Sequence, residues 1–320
     1  MKRREFLKAG AALGLGFAAP SLLGKSVINT NAGAEKMLPK RELGRTGRKI
    51  SVVGLGGVVL DGMPQQEANR LVDEVLELGL NYFDVAPSYG NAEIVMGNAL
   101  KGKRDKIFLA CKTLERDQAG SEKELHNSLK RLHTDHLDLY QFHALSSMDD
   151  VEKIFGPKGA AETFVKAKKE GKILHIGFSA HSVKAALAAL DRFDFDTVLF
   201  PVNFVLFFQE NYGPQVIQKA REKGVAVLAI KALALSCVPK GQQRPVKKCW
   251  YVPVQDPSLA GRALRFTLSR DATAAVPPGD PTLFRMAVDL ALGITPETPE
   301  DEKILRQAAK GQEPIFKLDV

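Results

Sequence analysis

Four residues that can do acid–base chemistry stand near the ends of apolar stretches of the sequence. NYFD ends at Asp84 and is followed by Tyr89, IFLACK ends at Lys112, and LDLYQFH ends at His143. A carboxylate at the end of a buried strand is costly without a partner. Either Asp84 is an ordinary strand-ending cap, or a cation elsewhere in the chain meets it, and Lys112 is the predicted cation.

Together these residue types suit the reduction of a carbonyl group. A hydride that reaches a carbonyl carbon leaves negative charge on the oxygen, which needs a proton donor and electrophilic support. The pKa of a free tyrosine is about 10, and a nearby ammonium lowers it, so Lys112 is predicted to make Tyr89 a better acid. Asp84 would hold Lys112, and His143 would donate a hydrogen bond to the substrate oxygen. Taken singly, each residue also has an ordinary structural explanation.

These residues meet only if the strands that carry them are parallel neighbours. After residue 50, short β-branched runs alternate with stretches of helical period. Strands are predicted over 51–56, 80–84, 106–112, 137–143, 173–179, 196–202, 225–231 and 272–277. Helices are predicted near 64–79, 91–100, 120–133, 149–170, 181–191, 213–223, 257–269 and 281–292. Eight strand–helix units suit an α/β fold of the (β/α)8 TIM barrel type, whose strands all end at one face. An open doubly wound sheet is the alternative, but the turn GLGGVV lacks its third glycine.

Two segments fall outside the alternating pattern. The loop over 232–256 follows strand seven and, in a barrel, lies over the face where the strands end. Its Trp250 and Tyr251 either line a substrate pocket or anchor the loop. Cys237 and Cys249 flank it and form a disulfide only if their Cα atoms come close enough. The C-terminal segment is predicted to form one more helix and an extended tail.

The first 34 residues have the build of an export signal. Basic residues come first, an uncharged run rich in Ala and Gly follows, and Ala32-Gly33-Ala34 offers a cleavage site. The motif Arg3-Arg4-x-Phe6-Leu7-Lys8 resembles the signal that the twin-arginine export machinery reads. We therefore expect a signal peptide at 1–34, a single domain at 35–320, and a periplasmic protein without a stable membrane span. An uncleaved anchor and a disordered tail are the alternatives.

Composition argues against several other classes of function. The net charge is +8, but five of the basic residues lie in the first 34 positions. Beyond them acids and bases are interspersed, so no nucleic acid partner is expected. The three cysteines contain no CxxC motif, which argues against an iron–sulfur centre. His133 and His136 fall at a helix-to-strand turn, without the spacing of ligands, so no metal site is predicted.

Read in order, these stretches resemble the aldo/keto reductase family. RELGRTGRKISVVGLGG, at 41–57, is similar to that family's opening hairpin and first barrel strand. FDVAPSYGNAE, IFLACK, LDLYQFH and IGFSAH match its signature blocks, and the similarity covers 38–292. The resemblance implies a barrel with an N-terminal β-hairpin that reduces a small aldehyde or ketone with NADPH. Its implied acid is Tyr89, supported by Lys112, Asp84 and His143.

The resemblance transfers less cleanly to the positions that bind the cofactor. Gly57 ends the first-strand block, and Ser179 matches the family serine that holds the nicotinamide carboxamide. Asn203 is either a substitute amide donor or a structural cap. The position of the stacking aromatic is Ile230, and Lys231 follows it in the region that approaches the pyrophosphate.

The turn AVPPGDPTLF is expected to face the adenosine phosphate. It places Gly279 and Asp280 in the turn, with Arg285 and Asp289 on the next helix. Arg285 is the cation there that can meet a 2′-phosphate, whereas Asp280 would repel it. On this balance NADP(H) is favoured over NAD(H). His181 either contacts the substrate or a phosphate, or begins a helix without a ligand.

Two rival functions remain open at the level of sequence. One is a nucleotide-binding redox sensor or accessory subunit with this fold and little turnover, which the missing stacking aromatic favours. The other is a barrel isomerase or lyase that acts on a sugar without a nucleotide. The four acid–base residues argue against the first rival, and the phosphate-turn similarity at 276–289 argues against the second.

Overall fold

The computed structural model describes residues 37–319, which build a barrel of eight parallel strands in chain order. The first and last barrel strands meet through a bridge between Val53 and Ala275. There the Gly54 N–H donates to the Ala275 carbonyl at 3.0 Å, and the Ala275 N–H donates to the Val52 carbonyl at 2.9 Å. These bonds close the sheet on itself, and the predicted (β/α)8 barrel is confirmed.

Two hairpins accompany the eight barrel strands. In chain order the strands are β1 (Lys40–Glu42), β2 (Lys49–Ser51), β3 (Leu55–Gly56), β4 (Tyr82–Asp84), β5 (Phe108–Thr113), β6 (Leu137–Leu145), β7 (Ile173–Ala180), β8 (Thr197–Pro201), β9 (Ala226–Ile230), β10 (Ala234–Cys237), β11 (Tyr251–Pro253) and β12 (Ala272–Val276). The helices are α1 (Gln65–Glu77), α2 (Ala92–Ala99), α3 (Gln118–Arg131), α4 (Met148–Phe155), α5 (Ala160–Lys169), α6 (Val183–Arg192), α7 (Phe204–Glu210), α8 (Pro214–Glu222), α9 (Pro257–Leu268), α10 (Pro281–Leu292) and α11 (Pro299–Ala309). β1 and β2 form one hairpin, and β10 and β11 form the other.

Four parts of the chain differ from the sequence prediction. The strand predicted over 51–56 is divided, because Ser51 ends β2 of the hairpin and the barrel strand β3 spans only Leu55–Gly56. The single helix predicted over 149–170 is two helices, α4 and α5. Gly156 and Pro157 separate them, because a proline lacks the N–H that a helix interior needs. The segment after β8 forms the unpredicted α7, which Asn203 caps. The loop over 232–256 contains the hairpin of β10 and β11.

The N-terminal hairpin closes the amino-terminal end of the barrel. β1 pairs antiparallel with β2, which confirms the predicted hairpin. Its Leu43 and Ile50 are fully buried and join the apolar cluster inside the barrel. That cluster also contains Tyr82, Phe108, Ala110, Leu139, Leu199, Ala226, Leu228, Ala274 and Val276. The barrel interior is therefore a packed core below the face where the strands end.

The interior core touches the predicted site through Tyr82. Its ring lies against Gly54, where an added Cβ would come within 2.3 Å of the Tyr82 Cδ1. Its hydroxyl donates to the Oδ2 of Asp84 at 3.2 Å. The absence of a side chain at Gly54 is thus what makes room for a tyrosine that supports the site.

Replacing Gly54 with alanine is expected to destabilise the protein by about 1–3 kcal/mol, the usual cost of overpacking a dense interior. The Tyr82 ring would have to shift, and its hydroxyl with it. Urea unfolding followed by circular dichroism measures the loss. Gly261→Ala on α9 is the matched control, because its Cβ would come no closer than 3.3 Å to a neighbour. Equal losses in the two variants would contradict the packing argument.

The predicted export signal at 1–34 lies outside the described residues. Within 37–319 none of the helices has the length and apolar character needed to cross a membrane.

The predicted C-terminal helix is α11, and the tail that follows packs Ile315, Phe316 and Leu318 against the core.

Candidate active site

The Asp84 carboxylate and the Lys112 ammonium form a buried ion pair at the carboxyl ends of β4 and β5. The Nζ of Lys112 donates to the Oδ1 of Asp84 and to the Val85 carbonyl, the latter at 3.2 Å. The Oδ2 of Asp84 accepts from the Tyr82 hydroxyl at 3.2 Å and from the Nε2 of Gln141 at 3.0 Å. Asp84 therefore meets a cation, and both of its carboxylate oxygens have partners.

Strand register explains why these side chains converge. In the parallel ladder Asp84 lies beside Ala110, and Lys112 lies beside Gln141. Because residues two apart on a strand share a face, Gln141 and His143 of β6 belong to the same row. Gln141 was not predicted as a site residue, although the alternation in LDLYQFH was the signal that pointed to it.

Within the ion pair, the Lys112 ammonium keeps its positive charge at the mouth of the barrel. Burial alone would lower the pKa of Lys112, but the Asp84 carboxylate and Tyr89 together outweigh this effect, and the pKa lies above its ordinary value. Lys112 is therefore charged at neutral pH. Because little water reaches the pair, this charge acts on its neighbours more strongly than it would in solvent.

Tyr89 is held by a turn that follows β4. The next residue, Gly90, has a φ of +55°, a conformation that favours glycine. An added Cβ on Gly90 would come within 2.0 Å of the Asp61 carboxylate. That carboxylate accepts from the Asn91 N–H at 3.2 Å, and the Asn91 Oδ1 accepts from the Gly62 N–H at 2.8 Å. These bonds tie the loop that carries Tyr89 to the loop after β3.

The Tyr89 ring lies close to both Lys112 and His143. Its centroid is 5.1 Å from the Nζ of Lys112 and 5.7 Å from the centroid of the His143 ring, which meets it edge to face at 87°. Burial raises the pKa of Tyr89, and Lys112 opposes this rise without overcoming it. Lys112 thus acts in the predicted direction, but burial is the larger effect and the pKa lies above its ordinary value. Tyr89 carries its proton at neutral pH, as a proton donor must.

His143 is a neutral imidazole in this site. Burial, reinforced by Lys112 and by further cationic neighbours, lowers its pKa to about 2. A neutral imidazole has one N–H to donate and one ring nitrogen to accept. Its Nδ1 is buried and has no hydrogen-bond partner among the described residues. A buried ring nitrogen left without a partner is uncommon in a purely structural histidine.

Two predicted ligands of the carboxamide lie at the ends of β7 and β8. The Oγ of Ser179 accepts from the Ala144 N–H at 2.7 Å, which leaves the Ser179 O–H free to donate. The Oδ1 of Asn203 accepts from the Leu206 N–H at 2.9 Å, so Asn203 does cap a helix. Its Nδ2 is buried without a partner in the described chain. Such a buried N–H is costly when no acceptor meets it, and the described chain supplies none.

The other positions on this side pack against neighbouring residues. Gly57 begins the turn after β3 and lies against Val85. Ile230 ends β9 and packs against the interior cluster. Lys231 has a φ of +65°, and its Nζ lies over the rings of two loop residues, Trp250 at 5.3 Å and Tyr251 at 5.2 Å. The two aromatic residues thus hold the long loop against Lys231.

The turn before α10 has a structural role of its own. Asp280 caps α10 and accepts from two backbone N–H groups of its first turn, at 2.9 and 3.1 Å. Gly279 precedes it. Arg285 pairs with Glu74 of α1 at 3.0 Å, and burial together with Glu74 raises the pKa of the nearby Asp289. The cation predicted for a 2′-phosphate therefore already has a carboxylate partner.

The C-terminal tail contributes residues that the sequence did not predict. Phe316 stacks on His181 at 5.1 Å between ring centroids and meets Trp250 at 5.7 Å. The Asp319 carboxylate accepts from the Ser182 hydroxyl and from the first N–H of α6. Ser182, and not His181, is the cap of α6. No local sequence signal pointed to the tail, because its docking depends on the folded barrel.

The described residues hold no metal-binding cluster: within 37–319, no three His, Cys, Asp or Glu side chains are grouped as ligands. Cys111, Cys237 and Cys249 are all free thiols in this structure. The Sγ of Cys237 lies 3.3 Å from the Pro314 carbonyl oxygen.

Comparison with known proteins identifies the family. The model of the aldo/keto reductase family matches residues 52–257, and the chain belongs to this family. It is 36% identical over 155 residues to the uncharacterized oxidoreductase YqkF of Bacillus subtilis, covering 44% of this chain and 48% of that protein. It is 29% identical over 207 residues to the aldo-keto reductase YhdN of the same organism, covering 59% and 60%. These matches span about half to three-fifths of the relatives' lengths.

A solved structure gives the same result for the fold. The aldo-keto reductase AKR11C1 from Bacillus halodurans, in its holo form, is 27% identical with a TM-score of 0.68. The alignment covers 87% of this chain and 98% of that protein.

Asp84→Asn is expected to destabilise the protein by about 3–5 kcal/mol, because it leaves a buried ammonium without its counter-charge. Replacing Lys112 with methionine in the same chain removes that orphaned charge. The double variant is therefore expected to be more stable than Asp84→Asn alone. Urea unfolding of the wild type, the two single variants and the double variant measures the coupling. Losses that simply add would contradict a mutually dependent pair.

Proposed function

We propose that this protein reduces an aldehyde or ketone to an alcohol with NAD(P)H as the hydride donor. The observation that supports this best is the buried Lys112–Asp84 pair beside a protonated Tyr89, with the neutral His143 against the same ring. A purely structural ion pair needs neither a tyrosine beside its ammonium nor a histidine with an unpartnered ring nitrogen. Membership of the aldo/keto reductase family supports the same reaction class.

In the proposed reaction a bound nicotinamide supplies a hydride to the carbonyl carbon. Tyr89 gives its proton to the carbonyl oxygen as negative charge develops there. Lys112 stabilises the phenolate that Tyr89 becomes, and Asp84 keeps the ammonium in place. His143 donates a hydrogen bond to the same oxygen and orients the carbonyl group. Tyr89 then regains a proton from solvent.

The free O–H of Ser179 and the unpartnered Nδ2 of Asn203 are the groups that would hold the carboxamide. Both lie at strand ends next to the acid–base residues, so a nicotinamide held there would lie beside Tyr89. The proposed contacts use two buried groups, the Ser179 O–H and the Asn203 Nδ2, for which the described chain supplies no acceptor.

The Tyr89 hydroxyl can be tested directly with NADPH and 4-nitrobenzaldehyde. Tyr89→Phe is expected to lower kcat by about 10²–10⁴-fold, because the general acid is lost. Tyr140→Phe is the matched control: it removes a hydroxyl from a ring that stacks on Phe164 at 4.6 Å, and its rate should match the wild type. A wild type that binds nucleotide but reduces no aldehyde would contradict the proposal and favour a sensor or accessory protein.

NADP(H) is proposed as the preferred cofactor over NAD(H), on the strength of Arg285. A 2′-phosphate would have to replace Glu74 as the partner of Arg285. Arg285→Met is therefore expected to lower kcat/KM with NADPH about 10-fold or more, as loss of a charge-assisted contact does, and to leave the value with NADH unchanged. Glu74→Gln is the complementary control and should favour NADPH further. Equal losses with both nucleotides would contradict the assignment.

Export by the twin-arginine machinery is proposed from the motif that begins at Arg3 and Arg4 and from the uncharged run that follows it. When the full chain is produced in a bacterium with this pathway, the protein is expected in the periplasmic fraction. Exchanging both arginines for lysine should keep it in the cytoplasm, while Lys25→Arg serves as the control. Unchanged fractionation of the double-lysine variant would contradict this route.

A further inference from the structure

Lys231 is a partly buried cation at the mouth of the barrel. It follows β9, in the left-handed backbone region that residues other than glycine seldom adopt. Its carbonyl accepts from the Ala234 N–H at 2.8 Å, which closes the turn into the long loop. Its Nζ lies over the rings of Trp250 and Tyr251. The backbone is thus held in a costly conformation that keeps an amine beside two aromatic rings.

The charge of Lys231 has no carboxylate partner among residues 37–319. Burial lowers its pKa to about 8, so most of the amine is protonated at neutral pH. The acidic neighbour that opposes this shift is the Cys249 thiol, which is itself neutral because burial raises its pKa to about 11. Contacts with the two rings stabilise the ammonium, but they provide no acceptor for its N–H groups.

His181 provides a second polar group without a partner near the amine. Burial and then the charge of Lys231 lower its pKa to about 4, so the imidazole is neutral. Its Nδ1 is buried without a partner in the described chain. The ring is held by stacking on Phe316, and the backbone N–H donates to the Leu145 carbonyl at 2.8 Å. An ammonium and an imidazole with an unpartnered ring nitrogen therefore lie on one set of contacting rings: Lys231 on Trp250, Trp250 on Phe316, and Phe316 on His181.

The other charges of this region are already compensated. Lys112 is paired with Asp84, and Arg116 is paired with Asp150 at 2.8 Å. The positive charges of Lys112, Arg116 and Lys231 all act on His143. Lys231 is the member of this set that lacks a counter-anion in the described chain. An anion that arrives with the substrate would supply it.

We propose that Lys231 and His181 bind a carboxylate group of the substrate, so that the preferred carbonyl compounds are oxo acids. This rests on the proposed reductase function, since the carbonyl carbon takes the hydride and its oxygen takes the proton of Tyr89. The carboxylate itself is unchanged, and the product is the corresponding hydroxy acid. Trp250 and Phe316, which meet edge to face, form an apolar wall for the carbon chain.

A phosphate of the cofactor is the other anion that can approach Lys231. The two sources differ in what they predict. If Lys231 binds a substrate carboxylate, its loss changes the ratio of kcat/KM between an acid and its ester. If Lys231 binds a cofactor phosphate, its loss changes the affinity for the nucleotide and slows the reduction of every substrate equally.

The kinetic experiment compares oxo acids with their methyl esters, using the full chain and NADPH. Glyoxylate, succinate semialdehyde and 4-carboxybenzaldehyde vary the distance between the carbonyl and the carboxylate. For at least one acid, kcat/KM is expected to exceed that of its ester by about 10–100-fold, as a charge-assisted contact gives. Lys231→Met should abolish this preference through KM, with the ester rate and the NADPH dissociation constant unchanged. Lys231→Arg should restore part of it.

Lys247→Met is the matched control, because it removes the same charge from an exposed position of the same loop. It should keep the preference for the acid. A wild type with no preference for any acid over its ester overturns the proposal. A Lys231→Met variant that loses nucleotide affinity and slows all substrates equally also overturns it, and assigns the residue to the cofactor.

A binding measurement separates this proposal from the proposed activity. Trp250 is the single tryptophan of the sequence, and its ring lies 5.3 Å from the Nζ of Lys231. Glycolate and 4-hydroxybutanoate, the alcohol products of two of the oxo acids, should change its fluorescence in the wild type but not in Lys231→Met. Saturable binding without any aldehyde turnover would support the carboxylate site at Lys231 and contradict the proposed reductase activity. Turnover of neutral aldehydes without carboxylate binding would support the reductase activity and contradict the carboxylate site.

Discussion

The site depends on one interaction, the buried pair of Lys112 and Asp84. A buried ammonium is tolerated because the Asp84 carboxylate balances its charge, and the buried carboxylate is tolerated because both of its oxygens accept hydrogen bonds. Tyr82 meets it from within the barrel core, and Gln141 meets it from β6, two strands away. The pair therefore links the packing of the interior to the chemistry at the mouth.

The neighbours of this pair take their protonation states from burial. Tyr89 keeps its proton and His143 stays neutral, because removal from water is the largest effect on both pKa values. Lys112 lowers the free energy needed to form the Tyr89 phenolate, but it does not ionise Tyr89 in the resting protein. Such a site holds a proton ready and gives it up when negative charge develops nearby, which suits an acid better than a permanently ionised tyrosine would.

The barrel and its acid–base residues could be predicted because parallel strands bring their ends to one face, so that Asp84, Lys112 and His143 had to be neighbours. The division of the helix predicted over 149–170 also had a sequence signal, the pair Gly156 and Pro157. The helical period on both sides of this pair masked that signal. The docking of Phe316 on His181 had none, since it joins segments far apart in the chain. Nor could the raised pKa of Tyr89 be predicted, because sequence shows the nearby charge but not the depth of burial.

The most direct test of the account is a kinetic double-mutant cycle on single-turnover reduction of 4-nitrobenzaldehyde by NADPH-loaded enzyme. The wild type, Tyr89→Phe, Lys112→Met and the double variant are compared. If Lys112 acts through Tyr89, the double variant is no slower than the slower single variant, because the ammonium has no phenolate left to stabilise. Losses that multiply would contradict the account and show that Lys112 serves the reaction independently of Tyr89.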